Sequence, residues 1–362
     1  MTEPGVLPDS AILELISSQK ILLANKLGDR QLQPASLDLT LGKKAWRVRA
    51  SFLPSLNHDV SSRLDDDLLM HEIDLTKGAV LERGCVYLAE VNESLALPKD
   101  ISAAANPKSS TGRIDVFVRM IVNRGTVFDE APAGYEGPLF VEICPRSFSI
   151  IAREGSSLNQ LRLKRGAPQI DDRELKDLHA ADALLSSAAN IENGLGVRID
   201  LQNRDNTPIG WRARHHSGLI DVDKRAALAP MDFFEPVYPT KSHSIILDPD
   251  EFYILASKER LMVPPDYAAE MTPINTGLGE FRVHYAGFFD PGFGWSGPGS
   301  TPNSRGVLEV RSHDAPFVLD DGQLVARLVY ERMQKRPDKL YGQDVSSNYQ
   351  GQALKLSKHF QA

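Results

Sequence analysis

The sequence predicts a mainly β protein made of two tandem domains of similar length, each preceded by a short helix. The first observation is an internal repeat, in which LERGCVYLAEVNESLALPKDISAAANP at 81–107 aligns without gaps on LDPDEFYILASKERLMVPPDYAAEMTP at 247–273. The second is a series of short alternating apolar stretches separated by turn-forming residues. An ungapped register of this length indicates duplication, and it predicts domains at 1–167 and 168–362. The identical pairs across the repeat include Tyr87 and Tyr253, Glu93 and Glu259, and Pro98 and Pro264.

The elements within each half follow the same order. DSAILELISSQKILL and DDRELKDLHAADALL have helical periodicity and open the two halves. ASLDLTLG and VRIDLQNR follow as strands, and VYLAEV and FYILAS alternate as strands do. PKD, PPD, REG and DDG are turn signals. Each half is therefore predicted to be a β sandwich or a jelly-roll type of barrel.

Composition restricts the classes of function. The chain has 362 residues with 42% hydrophobic and 25% charged residues, and no apolar run approaches the roughly 20 residues that span a bilayer. The N-terminal residues lack the pattern of a signal peptide, and two cysteines cannot form a disulfide framework, so we expect a cytoplasmic protein. A formal net charge of −7 argues against nucleic-acid or anionic-membrane partners, but it allows a local basic pocket for a small anion.

One series of motifs carries the functional prediction. The first half contains, in order, LPDSAILELI, LQPASLDLTLG, LERGCVYLAEVNESLALPKDI, KSSTGR, FDEAPAGYEGPLFVEI and LNQLRL. This series resembles the dCTP deaminase family of the dUTPase-like trimeric nucleotidohydrolase superfamily. The resemblance covers most of 7–163, and the second half repeats it in a weaker form. The C-terminal LYGQDVSSNYQGQ is similar to the tail that these enzymes fold over the nucleotide.

The resemblance implies roles for residues of the first half. Ser109 and Arg113 match the family's catalytic serine and arginine, and Glu142 matches its general acid/base. Lys108 and Ser110 would bind the triphosphate. Each residue also has a plain structural interpretation, because a Ser-Ser-Thr-Gly run forms turns and a glutamate on a strand commonly faces solvent.

Further substrate-binding residues follow from the same resemblance. Asp129 takes the place of the family's sugar-contacting aspartate, although it could also cap a loop. In the second half, Asp290 and Glu309 take the places of the sugar-contacting aspartate and of the general acid/base. In the tail, Tyr341 and Gln352 match the residues that close over the nucleotide.

The two halves have not kept the same residues. Where the first half has Lys108, Ser109, Ser110 and Arg113, the second has Ile274, Asn275, Thr276 and Gly279, and the tail's usual lysine is replaced by Asn348. One arrangement places a complete site in the first half, with the tail reaching across it. The other combines Ser109 and Arg113 with Asp290 and Glu309. We favour the first, because only the first half retains every catalytic residue type, and both glutamates remain candidates.

The sequence has no C-x-x-C or other zinc signature, so a deaminase built from it would use a carboxylate to move protons. We expect Mg²⁺ to arrive on the triphosphate rather than on a protein site. Rival functions are dUTP hydrolysis, alone or coupled to deamination, a non-catalytic nucleotide-binding module, and a purely structural β trimer. The expected ligand is dCTP, with dUTP and dTTP as further candidates, and family members suggest a homo-oligomer, a trimer.

Overall fold

The computed structural model describes residues 3–361 except 65–66, 203–205, 274–280, 285–286, 313–314 and 344–348, and it describes only the backbone of 281–284. The helices are α1 (Asp9–Ser17), α2 (Ser109–Gly112), α3 (Asp172–Ala181) and α4 (Pro230–Phe233), with a 3₁₀ turn at Val60–Arg63. The strands of the first half are β1 (Gly5–Val6), β2 (Ile21–Leu23), β3 (Leu32–Gln33), β4 (Ser36–Leu39), β5 (Leu41–Val48), β6 (Leu69–Asp74), β7 (Ala79–Leu81), β8 (Val86–Ala96), β9 (Ile101–Pro107), β10 (Val116–Val122), β11 (Glu130–Ala131), β12 (Glu136–Pro145), β13 (Ile150–Ala152) and β14 (Asn159–Arg165).

The second half continues the strand numbering. Its strands are β15 (Leu195–Arg198), β16 (Gly210–Ala213), β17 (Ile220–Asp221), β18 (Phe234–Val237), β19 (Ser244–Leu247), β20 (Tyr253–Leu261), β21 (Tyr267–Pro273), β22 (Phe281–His284), β23 (Phe288–Phe289), β24 (Ser304–Ser312), β25 (Phe317–Asp320) and β26 (Leu324–Arg332). This content confirms the prediction of a mainly β protein. No helix of the described residues is long and apolar enough to cross a lipid bilayer.

The chain forms two compact units. The first contains Met1–Pro168, Gly218–Leu228 and His359–Ala362, and the second contains Gln169–Ser217 and Ala229–Lys358. The first of these segments ends at Pro168, and the sequence places the boundary after residue 167. Two short segments that the sequence assigns to the second domain pack with the first unit instead. Their placement depends on packing between residues far apart in the sequence, and periodicity along the chain does not predict such packing.

The sheets of the two units have the same strand order. In the first unit, β11-β9-β14-β4-β3 form one sheet and β10-β12-β8-β5-β6 another. In the second unit, β23-β21-β26-β15 repeats the first order from β11 to β4, and β22-β24-β20-β16-β18 repeats the second. A small sheet pairs β7 with β13 in one unit and β19 with β25 in the other. The repeat read from the sequence is therefore a repeat of topology.

Each unit buries its core between its two larger sheets. In the first unit, alternating residues of β9, β14 and β4 pack against residues of β10, β12 and β8, and α1 closes one side. The helix does so because Ala11, Ile12 and Leu15 lie on one face, and Gln19, with φ of 57°, ends it. In the second unit α3 is capped by Asp171, whose carboxylate accepts the Glu174 N–H at 2.8 Å.

The segment Gly218–Leu228 adds a strand to the first unit. Its β17 pairs in parallel with β13, and Arg153 holds Asp221 at 2.8 Å and also contacts Asp223. The C-terminal residues pack on the same segment, since the Gln361 N–H donates to the Leu228 carbonyl at 2.9 Å. The first unit is thus completed by residues from far along the chain.

Candidate active site

The KSSTGR segment forms the connection between β9 and β10. After Pro107, Lys108 has extended backbone, and Ser109–Gly112 form a single helical turn in which the Arg113 N–H donates to the Ser109 carbonyl at 3.1 Å. Asp115 then has φ of 56°, which turns the chain into β10. The turn is therefore a rigid corner between two core strands.

The corner places its polar side chains at different depths. Ser110 and Arg113 are buried, whereas Lys108 and Ser109 are partly exposed. The Lys108 ammonium forms an ion pair with the buried carboxylate of Asp38 on β4, and it lies 3.4 Å from the Ser157 hydroxyl. The corner is thus tied to β4, and the predicted contact of Lys108 with a triphosphate stays a prediction.

Glu142 lies on β12, the strand between β8 and β10, and its side chain is 4% exposed. Its register partner on β10 is Arg119, whose guanidinium donates to Glu142 Oε1 from Nη2 at 2.6 Å and from Nε at 3.2 Å. A strand in the middle of a sheet holds such a carboxylate in one place. The solvent-facing alternative for Glu142 is therefore not what the structure shows.

Arg119 is a residue that the sequence analysis missed. Its guanidinium lies 3.5 Å from the centre of the Phe128 ring and 4.6 Å from that of Phe117, and it donates to the Ser51 hydroxyl at 2.8 Å. Stacking against aromatic rings favours arginine over lysine. The one available signal was a single cation within the apolar strand VFVRMIV, but its partner depends on cross-strand register.

Asp129 is bound to the backbone of β10. Its carboxylate accepts the Met120 N–H at 2.7 Å, its own N–H donates to the Met120 carbonyl at 2.9 Å, and its φ is 63°. The Asp129 carboxylate therefore ties its loop to β10. The sugar contact stays a prediction. The strand β10 thus links the turn of Ser109 and Arg113, the Arg119 partner of Glu142, and Asp129.

In the second unit the matching carboxylates are also buried. Asp290 is 8% exposed and Glu309 is 6% exposed. Glu309 lies on β24, with Ile254 of β20 on one side and His284 of β22 opposite it on the other. The positions that correspond to the first-unit corner, Ile274, Asn275, Thr276 and Gly279, lie outside the described residues, as does Asn348.

The loop after Asp290 requires glycine. Gly294 has φ of 67°, and a Cβ atom there would lie 2.0 Å from the Leu261 carbonyl oxygen. Gly292 has φ of 96°. No other residue type fits the Gly294 position without moving the backbone. The loop Asp290–Trp295 is therefore a fixed feature of this unit, and we call it the Asp290 loop.

The C-terminal tail lies on the second unit. The Tyr341 N–H donates to the Pro291 carbonyl at 2.9 Å, and the Tyr341 ring centre is 5.8 Å from that of Phe293. Gln352 is buried. Its side-chain amide donates to the Arg305 carbonyl at 2.9 Å, and its backbone carbonyl accepts the Arg305 N–H at 2.9 Å. The tail therefore runs along the Asp290 loop and the start of β24.

The glutamate pair that is identical across the repeat supports the framework. Glu93 accepts the Thr40 N–H at 2.9 Å and the Gln31 amide at 2.7 Å, and burial raises the pKa of its carboxyl against the opposing effect of these hydrogen bonds. Glu259 accepts the Arg198 N–H at 3.0 Å and its Nε at 2.6 Å. Glu93 thus holds the junction between β4 and β5, and Glu259 holds the end of β15. Among the described residues, no group of three or more His, Cys, Asp or Glu side chains is placed to hold a metal.

Two family models match the chain. The model of the 2'-deoxycytidine 5'-triphosphate deaminase (DCD) N-terminal domain matches residues 3–167, and that of the C-terminal domain matches residues 171–360. A crystal structure of 2'-deoxycytidine 5'-triphosphate deaminase from Agrobacterium tumefaciens is 51% identical in sequence and superimposes with a TM-score of 0.88. That comparison covers 92% of this chain and 100% of the other.

Curated relatives align over a shorter region. A protein of Coprothermobacter proteolyticus named "dCTP deaminase, dUMP-forming" is 31% identical over 137 residues, which are 37% of this chain and 65% of the relative. A protein of Sulfurihydrogenibium sp. with the same name is 31% identical over 137 residues, which are 38% of this chain and 70% of the relative. The chain thus spans about two thirds of the length of these relatives.

The repeated topology and the structural likeness define a tandem protein of the dUTPase-like β class. Within that class, the chain belongs to the 2'-deoxycytidine 5'-triphosphate deaminase family, and its two halves are the N- and C-terminal domains of that family.

Proposed function

We propose that this chain catalyses the hydrolytic deamination of dCTP, with dUTP and ammonia as products. The observation that carries the proposal is the likeness to the Agrobacterium tumefaciens deaminase over 92% of this chain, at 51% identity. At that identity the likeness extends beyond the fold to about half of the aligned side chains. The Ser, Arg and Glu residues expected of such an enzyme are all present in the first unit.

The reaction needs one proton shuttle. The oxygen of a water molecule bonds to C4 of the cytosine ring, and a carboxylate takes a proton from that water and passes it to N3. The tetrahedral carbon then loses its amine, which accepts the second water proton and leaves as ammonia, while C4 becomes the uracil carbonyl. Glu142 is our first candidate for this carboxylate because a central strand and Arg119 fix its position.

The corner between β9 and β10 supplies the other groups. The Ser109 hydroxyl orients the water, and the Arg113 guanidinium stabilises negative charge that develops on the attacking oxygen. Lys108 and Ser110 contact the triphosphate, and the ion pair with Asp38 sets where the Lys108 ammonium lies. In the arrangement that we favour, Asp129 contacts the sugar. Asp290, Tyr341 and Gln352 are the candidate nucleotide contacts of the second unit.

Mg²⁺ enters with the substrate. It binds the triphosphate oxygens and keeps most of its water, so no protein ligand set is required for it. Zinc has no part in the proposed chemistry, because the carboxylate provides the proton transfer. A zinc chelator should therefore leave the rate of ammonia release unchanged, and activity that vanished on chelation and returned only with zinc would contradict the proposal.

The test compares the two candidate carboxylates. Glu142→Gln and Glu309→Gln keep shape and remove proton transfer, so the variant at the working carboxylate should lose about 10³-fold in ammonia release from dCTP. We expect this loss for Glu142→Gln. The same loss in Glu309→Gln alone would transfer the role to Glu309. No ammonia from dCTP with wild-type protein would refute the function.

A second candidate is a coupled reaction that ends at dUMP. It is favoured by the names of the Coprothermobacter proteolyticus and Sulfurihydrogenibium relatives, both "dCTP deaminase, dUMP-forming". Pyrophosphate released in equal amount to ammonia would establish it, whereas ammonia with dUTP and no pyrophosphate supports the simple deamination. Adding dUTP alone shows whether hydrolysis proceeds separately.

The proposal includes assembly as a homo-oligomer, a trimer, which the family resemblance suggests. Light scattering on the purified chain gives its mass directly. A mass equal to one chain of 40.0 kDa would rule out this part of the proposal without affecting the chemistry.

A further inference from the structure

Gln350, a tail residue to which the sequence analysis gave no role, contacts the Asp290 loop through both ends of its amide. Its Oε1 accepts the Gly294 N–H at 3.1 Å. Its Nε2 donates to the carbonyl of Gly292 at 3.2 Å and to that of Trp295 at 3.1 Å. One side chain therefore bonds to three backbone groups of a single short loop.

These contacts need a primary amide. The loop presents one donor and two acceptors to the side chain, and an amide offers the complementary acceptor and two donors. A glutamate of the same shape would keep the acceptor but place a carboxylate against two carbonyl oxygens. An alanine would leave all three backbone groups without this partner. The arrangement is therefore selective for glutamine.

The neighbouring parts of the tail hold the same region. Gly342 has φ of 78°, and a Cβ atom there would lie 2.5 Å from Cγ of Gln350, so the two ends of this tail segment pack closely. The Gly351 N–H donates to the Ser304 hydroxyl at 2.8 Å. Tyr341 and Gln350 thus join the tail to the Asp290 loop, while Gly351 joins it to the start of β24.

We propose that Gln350 is a positioning residue, whose amide couples the C-terminal tail to the Asp290 loop so that both present their nucleotide-contacting residues together. This inference rests on the proposed function, because it takes Asp290, Tyr341 and Gln352 to be substrate contacts. Gln350 itself need not touch the nucleotide. Its loss should therefore weaken substrate binding and leave the chemical step nearly intact.

The experiment uses the full chain with two substitutions and a matched control. Gln350→Ala removes all three bonds, and Gln350→Glu removes the two donated ones. The control is Gln343→Glu, the same chemical change at an exposed position of the same tail. Two quantities are measured: hydrogen–deuterium exchange of the Asp290 loop and tail amides without nucleotide, and kcat and KM for dCTP.

We expect both Gln350 variants to exchange faster in the loop and tail, with the Gly294 amide most affected in Gln350→Ala. KM for dCTP should rise about tenfold while kcat stays within about twofold, and the Gln343→Glu control should match wild type. Exchange equal to that of the control, or faster exchange with unchanged KM, would overturn the proposal.

A structural role alone would lower the midpoint of thermal unfolding without changing KM relative to kcat. The exchange measurement needs no turnover. If the wild-type chain released no ammonia from dCTP, the proposed function would fail, and the exchange result would still decide whether Gln350 couples tail and loop.

Discussion

Glu142 and Glu309 occupy the same place in two copies of one topology, but their neighbours differ. Each lies on the middle strand of a three-strand group, β8-β12-β10 in the first unit and β20-β24-β22 in the second. Opposite Glu142 stands Arg119, stacked on two phenylalanine rings, whereas the residue in register with Glu309 is His284. The duplication has kept the strand that presents the carboxylate and changed the residue that faces it.

The loops that carry Asp129 and Asp290 also differ, and here the second unit keeps more of the features expected of a nucleotide site. In the first unit the Asp129 carboxylate is bound to the Met120 N–H, and the Tyr135 hydroxyl donates to the Pro138 carbonyl at 2.7 Å. In the second unit the Asp290 loop keeps its required glycines and receives the tail. The first unit therefore retains the Ser–Arg corner, and the second retains the tail and the loop that it binds.

Among the residues that differ between the two units, Arg113 should have the largest effect. Arg113→Lys keeps the charge but loses the planar set of donors, and we expect kcat/KM for dCTP to fall about 100-fold. The position corresponding to Arg113 in the second half is Gly279, so the repeat does not supply an equivalent guanidinium at that position. Steady-state ammonia release measures the loss, with the unfolding midpoint recorded beside it.

The matched control is Arg124→Lys, the same change in the same unit at a side chain that is 71% exposed and pairs with Asp59 at 3.5 Å. It should leave kcat/KM unchanged. If the Arg113→Lys variant turned over dCTP at the wild-type rate, the turn of Ser109 and Arg113 would have no role in the reaction. The main functional difference proposed between the units would then be wrong.

A smaller effect is expected when Arg119 is replaced by histidine, the residue type that is in register with Glu309 in the second unit. Arg119→His replaces a cation that is always charged by one that is charged only below its pKa of about 6.5. The positive charge beside Glu142 is then lost as pH rises. The ratio of variant to wild-type kcat should therefore fall about tenfold between pH 6 and pH 8. Rates measured across this range, with substrate saturating, give the ratio.

Arg119→Lys separates charge from geometry in the same assay. It should lower kcat by a constant factor with no slope in pH, because lysine stays protonated but cannot reproduce both contacts with Oε1. If both variants kept the wild-type rate at every pH, Glu142 would have only a structural role. Glu309 would then be the candidate for the proton shuttle.

Much of this architecture follows from the sequence, because it depends on local pattern and on the repeat. The helices at the start of each half, the strands β8 and β20, and the equivalence of Glu93 with Glu259 all come from periodicity and alignment. The partner of Glu142 does not, because register between β10 and β12 is a property of the folded sheet. The three bonds of Gln350 and the addition of β17 to the first unit also join residues far apart in the chain.

The smallest effect concerns Glu93, which tests whether the shared framework carries a pH dependence. Burial raises the pKa of its carboxyl above the ordinary value of 4.5, so the folded protein binds this proton more tightly than the unfolded chain does. Its contribution to the free energy of unfolding is therefore largest below that value and is lost as pH rises through the raised pKa. Glu93→Gln removes this dependence and adds a roughly constant cost of about 1–3 kcal/mol, because an amide N–H₂ would face a donor from Thr40 or Gln31.

Urea unfolding from pH 4 to pH 8 measures the free energy of unfolding of wild type and of Glu93→Gln. The difference between them should shrink as pH rises. Glu90→Gln, an exposed change on the same strand, should show no such trend. A constant difference would mean that burial and the hydrogen bonds of Thr40 and Gln31 cancel at this carboxylate.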